Sequence, residues 1–321
     1  MNHVGSRQAE GGEPSVRRRA PLSSVFETGR GARIYPYLLV LPAFVIVLGV
    51  VLYPVVAGIV ASFQDLTLRT LSRGTVSFVG LRNFERMWAD PVFWIALRNT
   101  GLWVGANVVA QMVLGLALAL LLNQRVRGLG FFRAGILLPW VVPSVVAVLT
   151  WRWMYDPSVG IVNEMLVRTG LLQEYFPILG DVRTALWAVT VESIWKGTPF
   201  VMLLLLAALQ MIPRSVTEAA QMDGAHGWRM LLFIVLPQIR LAFAIAMILT
   251  LILTMNNFNA IWLMTAGGPL NSSEILFTLA YRYGFERMNL GLASAVATVL
   301  FFFLVVVTSV YLYLIRLRDE G

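Results

Sequence analysis

The chain has no cysteine, a single lysine (Lys196), only two histidines (His3 and His226), and charges on just 13% of its 321 residues. Without cysteine there is no disulfide, no thiolate metal site and no cysteine nucleophile. A phosphate-cradling loop needs G-x-x-x-x-G-K-[ST], and the one lysine is followed by Gly197 inside an apolar stretch, so that motif is absent. H-E-x-x-H and G-x-S-x-G are absent too. Soluble domains carry about 25% charged residues, which excludes an ordinary soluble enzyme. Disorder is excluded as well, because 58% of the residues are hydrophobic and supply ample surface to bury.

What is present is apolar length. A hydrocarbon core about 30 Å thick takes roughly 20 apolar residues per helix. Six stretches qualify, at approximately 36–62, 98–122, 132–155, 185–211, 238–263 and 291–315. The expected fold is therefore all-α, a polytopic membrane protein with six transmembrane helices. A basic leader (1–34) is expected to be flexible, ahead of a transmembrane domain (35–321). The first stretch is too long for a signal-peptide core and is expected to be retained.

Net charge is +8, and its distribution carries the orientation. The leader, the loops after the second and fourth stretches, and the tail hold fourteen arginines; the alternate, longer loops hold eight. The positive-inside bias then puts both termini in the cytoplasm. A nucleic-acid site would instead gather its cations on one face of a folded domain, so nucleic acid is not an expected partner, whereas membrane lipid is. Arg17, Arg18 and Arg19 could touch anionic headgroups.

One loop holds more than a chain reversal needs. IPRSVTEAAQMDGAHGWRMLLFIVLPQIR, from Ile212 to Arg240, opens with a proline that ends the fourth stretch. Ser215 and Glu218 have the S-x-x-E spacing of a capping box, and Gly224 is placed to close a short helix at about residue 223. Pro237 marks the entry to the fifth stretch. So short a helix is marginal by itself, and Glu218 and Asp223 make it anionic, which suits an anionic leaflet poorly. A protein groove is the better host, and Ala219 and Ala220 would permit close approach.

In this segment Glu218, Ala219, Ala220, Gly224, Ile234, Leu236 and Pro237 stand in the register E-A-A, three residues, G, nine residues, I-x-L-P. It resembles the EAA signature of permease subunits of ATP-binding-cassette (ABC) importers, and its D-G-A form, Asp223-Gly224-Ala225, looks most like the sugar group, similar to the maltose-type and glycerol-phosphate-type permeases. LPAFVIVLGVVLYPVVAGIVASF (41–63), FVGLRNFERMWADPVFWIALRNT (78–100), FFRAGILLPWVVPSVVAVLTWRWMYDPSVGIVN (131–163), IWKGTPFVMLLLLAALQMIP (194–213) and TAGGP (265–269) continue the likeness in order. The resemblance implies a cell-membrane subunit that forms the pathway with a second permease and binds no cofactor. ATP and magnesium would sit on two separate ATPase subunits, and an external solute-binding protein would deliver the ligand. It also implies that the short helix of this coupling loop (212–237) docks in a cleft of the ATPase, with Glu218 facing a cation there and Gly224 setting the turn.

Polar residues inside spans mark interiors or cavities. Glu192 and Lys196 are one helical turn apart and could pair, touch the partner permease or face the cavity. Asn256, Asn257 and Asn259 are too polar a group for lipid, and amides suit sugar hydroxyls; Asn259 stands where the family pattern has an aspartate. Trp195 is the aromatic retained as a pathway candidate, the others being expected in interfacial belts. Asp156, Gly160 and Asn163 look like a turn. An ion-gradient carrier using Glu192 and Lys196 is the alternative, but it needs no docking helix and usually shows an internal repeat. Disaccharide, monosaccharide and glycerol-phosphate ligands stay open, the last disfavoured because no arginine cluster lies in the central spans.

Overall fold

A computed structural model of the chain describes residues 30–124 and 128–319. Residues 1–29, 125–127 and 320–321, and with them His3, Arg7, Arg17, Arg18, Arg19, Arg125 and Arg127, lie outside the described residues. Packing divides the chain at Ala57 and Gly58 into two units.

In the first unit, α1 (Arg30–Ile46) runs through a wider π turn (Val47–Leu52) into the start of α2 (Tyr53–Ser62). The π turn has a local cause. Pro54 has no N–H, and its ring crowds the carbonyl four residues back. Widening the helix lets Tyr53, the residue before it, reach the carbonyl of Leu48 instead.

The second unit begins with the end of α2 and continues with two short helices, α3 (Leu68–Ser72) and α4 (Arg82–Ala89), followed by the long α5 (Pro91–Leu122). Next come α6 (Leu129–Val141), α7 (Ser144–Met154), α8 (Ile161–Arg168), α9 (Ala185–Gln210) and α10 (Arg214–Met222). After a second π turn (Met230–Val235) follow α11 (Leu236–Gln238), α12 (Arg240–Met255), α13 (Phe258–Thr265), α14 (Leu276–Tyr281), a third π turn (Arg282–Glu286) and α15 (Leu290–Asp319). The π turn before Pro237 repeats the arrangement before Pro54, with Leu236 bonded to the carbonyl of Leu231. Among the described residues there is no strand, only isolated bridges between Gln64 and Phe78 and between Thr67 and Asn289.

Among the described residues five helices are long and apolar enough to cross a membrane, or up to six if a bent pair counts as one span. The bent pair corrects the expected span at 132–155: α6 and α7 meet at 92°. Val142 is extended at φ −60°, ψ 131°, as a residue before proline prefers to be, and Pro143 cannot continue the hydrogen-bond ladder. The span expected from 98 starts earlier, at Pro91. Asp90 caps it, accepting the N–H of Val92 at 2.8 Å, and proline suits the first helical position; these signals outweigh the interruption by Arg98. The fifth span is broken at Asn256 and Asn257, between α12 and α13.

The second unit is organised on the packing of α5 against α9. Small residues bring the backbones together, as in membrane bundles generally. A Cβ on Gly115 would lie 2.6 Å from Val201 Cγ1, and one on Gly197 would collide with the amide of Gln111. Trp103, Val189 and Ile261 fill one core, and Met112, Met202 and Leu205 another.

Candidate functional site

The loop after α9 forms a defined structure. Pro213 is extended at φ −61°, ψ 137°, and α10 starts directly behind it without a side-chain cap. The expected Ser215–Glu218 capping box is therefore not formed. The turn at Pro213 starts the helix one residue before Ser215, which is left inside the first turn, where a side chain cannot act as N-cap. The predicted end is present. Gly224 has φ +81°, its N–H reaches the carbonyl of Gln221 at 3.0 Å, and the Ala225 N–H reaches Ala220 at 2.9 Å. These are the two hydrogen bonds of a Schellman cap.

Burial then divides α10 into faces. Ala220 is buried, Val216 is half-buried, and α10 packs against the π turn at 230–235. Glu218, Ala219, Asp223, Gly224 and Pro237 are exposed. Beside them Met211, Met222 and Trp228 are 81%, 89% and 77% exposed. The outward surface of this loop thus sets two carboxylates among exposed Arg214 and Arg229, with large apolar side chains around them, a composition suited to a protein partner.

Glu192 is fully buried on α9, and neither carboxylate oxygen has a hydrogen-bond partner among the described residues. Lys196 does not pair with it. The ammonium instead donates to the carbonyl of Val142 at 2.6 Å and of Pro139 at 3.3 Å. The reason lies at the break. Pro143 has no N–H to offer Pro139, four residues earlier, and the end of a helix leaves its last carbonyls unmet. A cation there gains charge-assisted hydrogen bonds and a favourable helix dipole.

The three asparagines separate by role. Asn256 is exposed, ends α12, and donates to the carbonyl of Ile252 at 2.8 Å. Asn257 caps α13, accepting from Ala260 N–H at 3.4 Å, and its amide reaches Ser193 Oγ on α9 at 3.4 Å. Asn259 is exposed. Trp195, 38% exposed, lies 5.6 Å from the ring of Trp151, itself 5.5 Å from Tyr155, an aromatic row across α9 and α7.

A polar stripe on α5, outside the residues singled out along the chain, faces the same interior. Asn107 donates to the Trp103 carbonyl at 2.9 Å, Gln111 donates to Asn107 Oδ1 at 2.9 Å and lies 3.4 Å from the carbonyl of Ser193, and Trp103 donates to the carbonyl of Thr254 at 3.1 Å. With Asn99 these positions recur every four residues. That spacing within an apolar run was the available signal for an inward face.

TAGGP belongs to a clasp. Asn99 on α5 donates to the carbonyls of Asn271, Ser272 and Glu274 at 3.3, 3.0 and 3.0 Å. Glu274 is fully buried, with Arg282 Nη2 at 2.8 Å, and burial holds its carboxyl above the usual carboxylate range. Arg282 also donates to Asn271 Oδ1 at 3.0 Å and the Ala266 carbonyl at 2.7 Å. Gly267, at φ +80°, has no Cβ to strike Glu274. Asp156 forms the expected turn, its Oδ1 accepting from Ser158 and Val159.

Apolar helices with an inward polar stripe, a broken helix and a shaped helix on the loop between two spans define a membrane transport component. The chain belongs to the family of binding-protein-dependent transport system inner membrane components, whose pattern matches residues 111–318. Among its relatives, the trehalose/maltose transport system permease protein MalF of Thermococcus litoralis is 34% identical over 285 residues, covering 88% of this chain and 94% of that one. The sulfoquinovosyl glycerol transport system permease protein SmoG of Agrobacterium fabrum is 34% identical, covering 90% and 92%. The trehalose transport system permease protein SugA of Mycobacterium tuberculosis is 31% identical, covering 96% and 97%. Two crystal structures of a bacterial alginate ABC transporter, one bound to its alginate-loaded periplasmic protein, contain chains of the same fold, with TM-scores of 0.73 and 0.75 at 24% identity; they cover 87% and 89% of this chain and 93% and 96% of theirs.

Proposed function

We propose that the chain is a permease subunit of an ABC importer for a sugar or related polyol, and that α10 is its coupling helix. The observation that carries this reading is the exposed face of α10, with Glu218, Ala219, Asp223 and Gly224 outward and Ala220 inward, closed by a Schellman cap and supported by the π turn behind it. The relatives named above are transport system permease proteins, and the solved chains of the same fold come from an ABC transporter, which favours ATP-driven import over an ion gradient.

In this reading the bent α6–α7 pair counts as one of six spans, and the arginine distribution puts both termini in the cytoplasm. The cytoplasmic α10 then docks on an ATPase subunit, with Glu218 opposite a cation. Two ATPase subunits hold ATP and magnesium, a second permease completes the pathway, and an external binding protein delivers the ligand. Asn256, Asn259 and Trp195, all solvent-accessible on helices around the polar interior, are the groups offered to sugar hydroxyls and sugar rings; Asn257 positions the break between α12 and α13.

The test is purification of the tagged chain from its own membrane. A second permease and an ATPase should accompany it, and Glu218→Lys should abolish ATPase retention while the chain stays in the membrane. Retention unchanged in Glu218→Lys would refute the docking role.

A further inference from the structure

We propose that Lys196 is a positioning residue for transport, whose ammonium alternates between the broken helix and Glu192 and so links the α6–α7 joint to the coupling helix. The inference rests on the transport reading above. In the present conformation the lysine supplies the donors that Pro143 denies to the end of α6, at 2.6 Å from the carbonyl of Val142 and 3.3 Å from that of Pro139. A second contact, four residues on, fastens the same joint: Trp140 stacks on Phe200 with centroids 5.9 Å apart and planes at 21°. Both contacts sit on α9, and α9 ends at Gln210, four residues before α10 begins.

The other acceptor is on α9 itself. Glu192 lies one turn before Lys196, fully buried, with both oxygens unpartnered among the described residues. A buried acidic group without a hydrogen-bond partner is costly, and a cation one turn away is well placed to relieve it. When the 92° joint changes angle, the two carbonyls move off and the ammonium turns back to Glu192. Each acceptor is better served in one conformation of the joint. Two such arrangements, each stabilised by its own contacts, are what a switching element requires. A break at proline is a natural place for the angular change.

The experiment uses the assembled complex in nanodiscs. Phe132→Cys on α6 and Trp153→Cys on α7, both exposed, carry spin labels in this cysteine-free chain. Their distance is read without nucleotide and after trapping with ATP, magnesium and vanadate. The unaltered joint should show two distances. Glu192→Gln, which leaves the bonds to Val142 and Pro139 in place, should abolish the shift and hold the nucleotide-free distance. Lys196→Met should broaden the nucleotide-free distance and also lose the shift, and Lys196→Arg should restore it. A full shift in Glu192→Gln overturns the proposal, and so does an unmoving joint in a complex that hydrolyses ATP. If Lys196→Met does not assemble, Glu192→Gln decides alone. A chain that recruits no ATPase would overturn the transport reading instead.

Discussion

Replacing Gly224 tests the coupling helix through its backbone. The residue sits at φ +81°, and a Cβ there would meet nothing within 4 Å. The cost of any side chain is therefore conformational in the chain alone. A left-handed alanine costs about 1–2 kcal/mol, whereas asparagine visits this region with a smaller penalty because its amide bonds locally. The nine-residue α10 is marginal without its cap, so that penalty lowers the ratio of closed to open helix by about five- to thirtyfold. If only the closed helix docks and it is the minor state in the free permease, the Kd for the ATPase subunit rises by the same factor. The assay is titration of purified ATPase subunit into permease held in nanodiscs. Gly224→Ala should weaken binding about five- to thirtyfold, and Gly224→Asn clearly less. Crowding at the interface would reverse that order, because asparagine is the larger residue. Wild-type affinity in Gly224→Ala, or a weaker complex in Gly224→Asn than in Gly224→Ala, would refute the reasoning.

Two further substitutions examine the scaffold. Arg282→Met strips the cation from buried Glu274 and should destabilise the chain by about 3–5 kcal/mol, read as a lower midpoint of thermal unfolding in detergent. Glu274→Gln in the same chain should recover most of it. Burial raises the Glu274 carboxyl, so its protonated form is the one favoured in the fold; that contribution is complete below the usual carboxylate range and is lost as pH rises through the raised value. The loss in Arg282→Met should accordingly be smaller at acidic than at alkaline pH, and a loss independent of pH would contradict this account. Gly197→Ala drives a methyl group into Gln111 at the α5–α9 contact and should cost about 1–3 kcal/mol, with Gln111→Ala as the compensating change; equal stability of Gly197→Ala and wild type would show that the contact yields.

Much of the site is readable along the chain because its causes are local. Gly224 ends α10 as expected, since a left-handed residue is a property of one position. Ser215 is not the start of α10, because Pro213, two residues earlier, already provides the extended residue from which the helix begins. The break at Val142 and Pro143 is also local, but a run of apolar residues hides it when length alone is counted. The asparagines at 256 and 257 read as polar load, and the fold uses both on helix ends. On α5, Asn107 and Gln111 share a four-residue spacing that marks an inward face, and the tertiary contacts give that face its neighbours.

The apolar lengths, the missing nucleotide loop and the information-rich segment from Ile212 to Arg240 follow from the amino-acid sequence alone, because hydrophobic length, motif spacing and left-handed glycine need no distant partner. Which acceptor Lys196 takes does not. The local rule offers Glu192, four residues away, and the fold prefers Val142 and Pro139, more than fifty residues earlier in the chain. Hydrogen-bonding need is created where a helix breaks, and only the packing of α6 against α9 brings those unmet carbonyls within reach of the chain's one lysine.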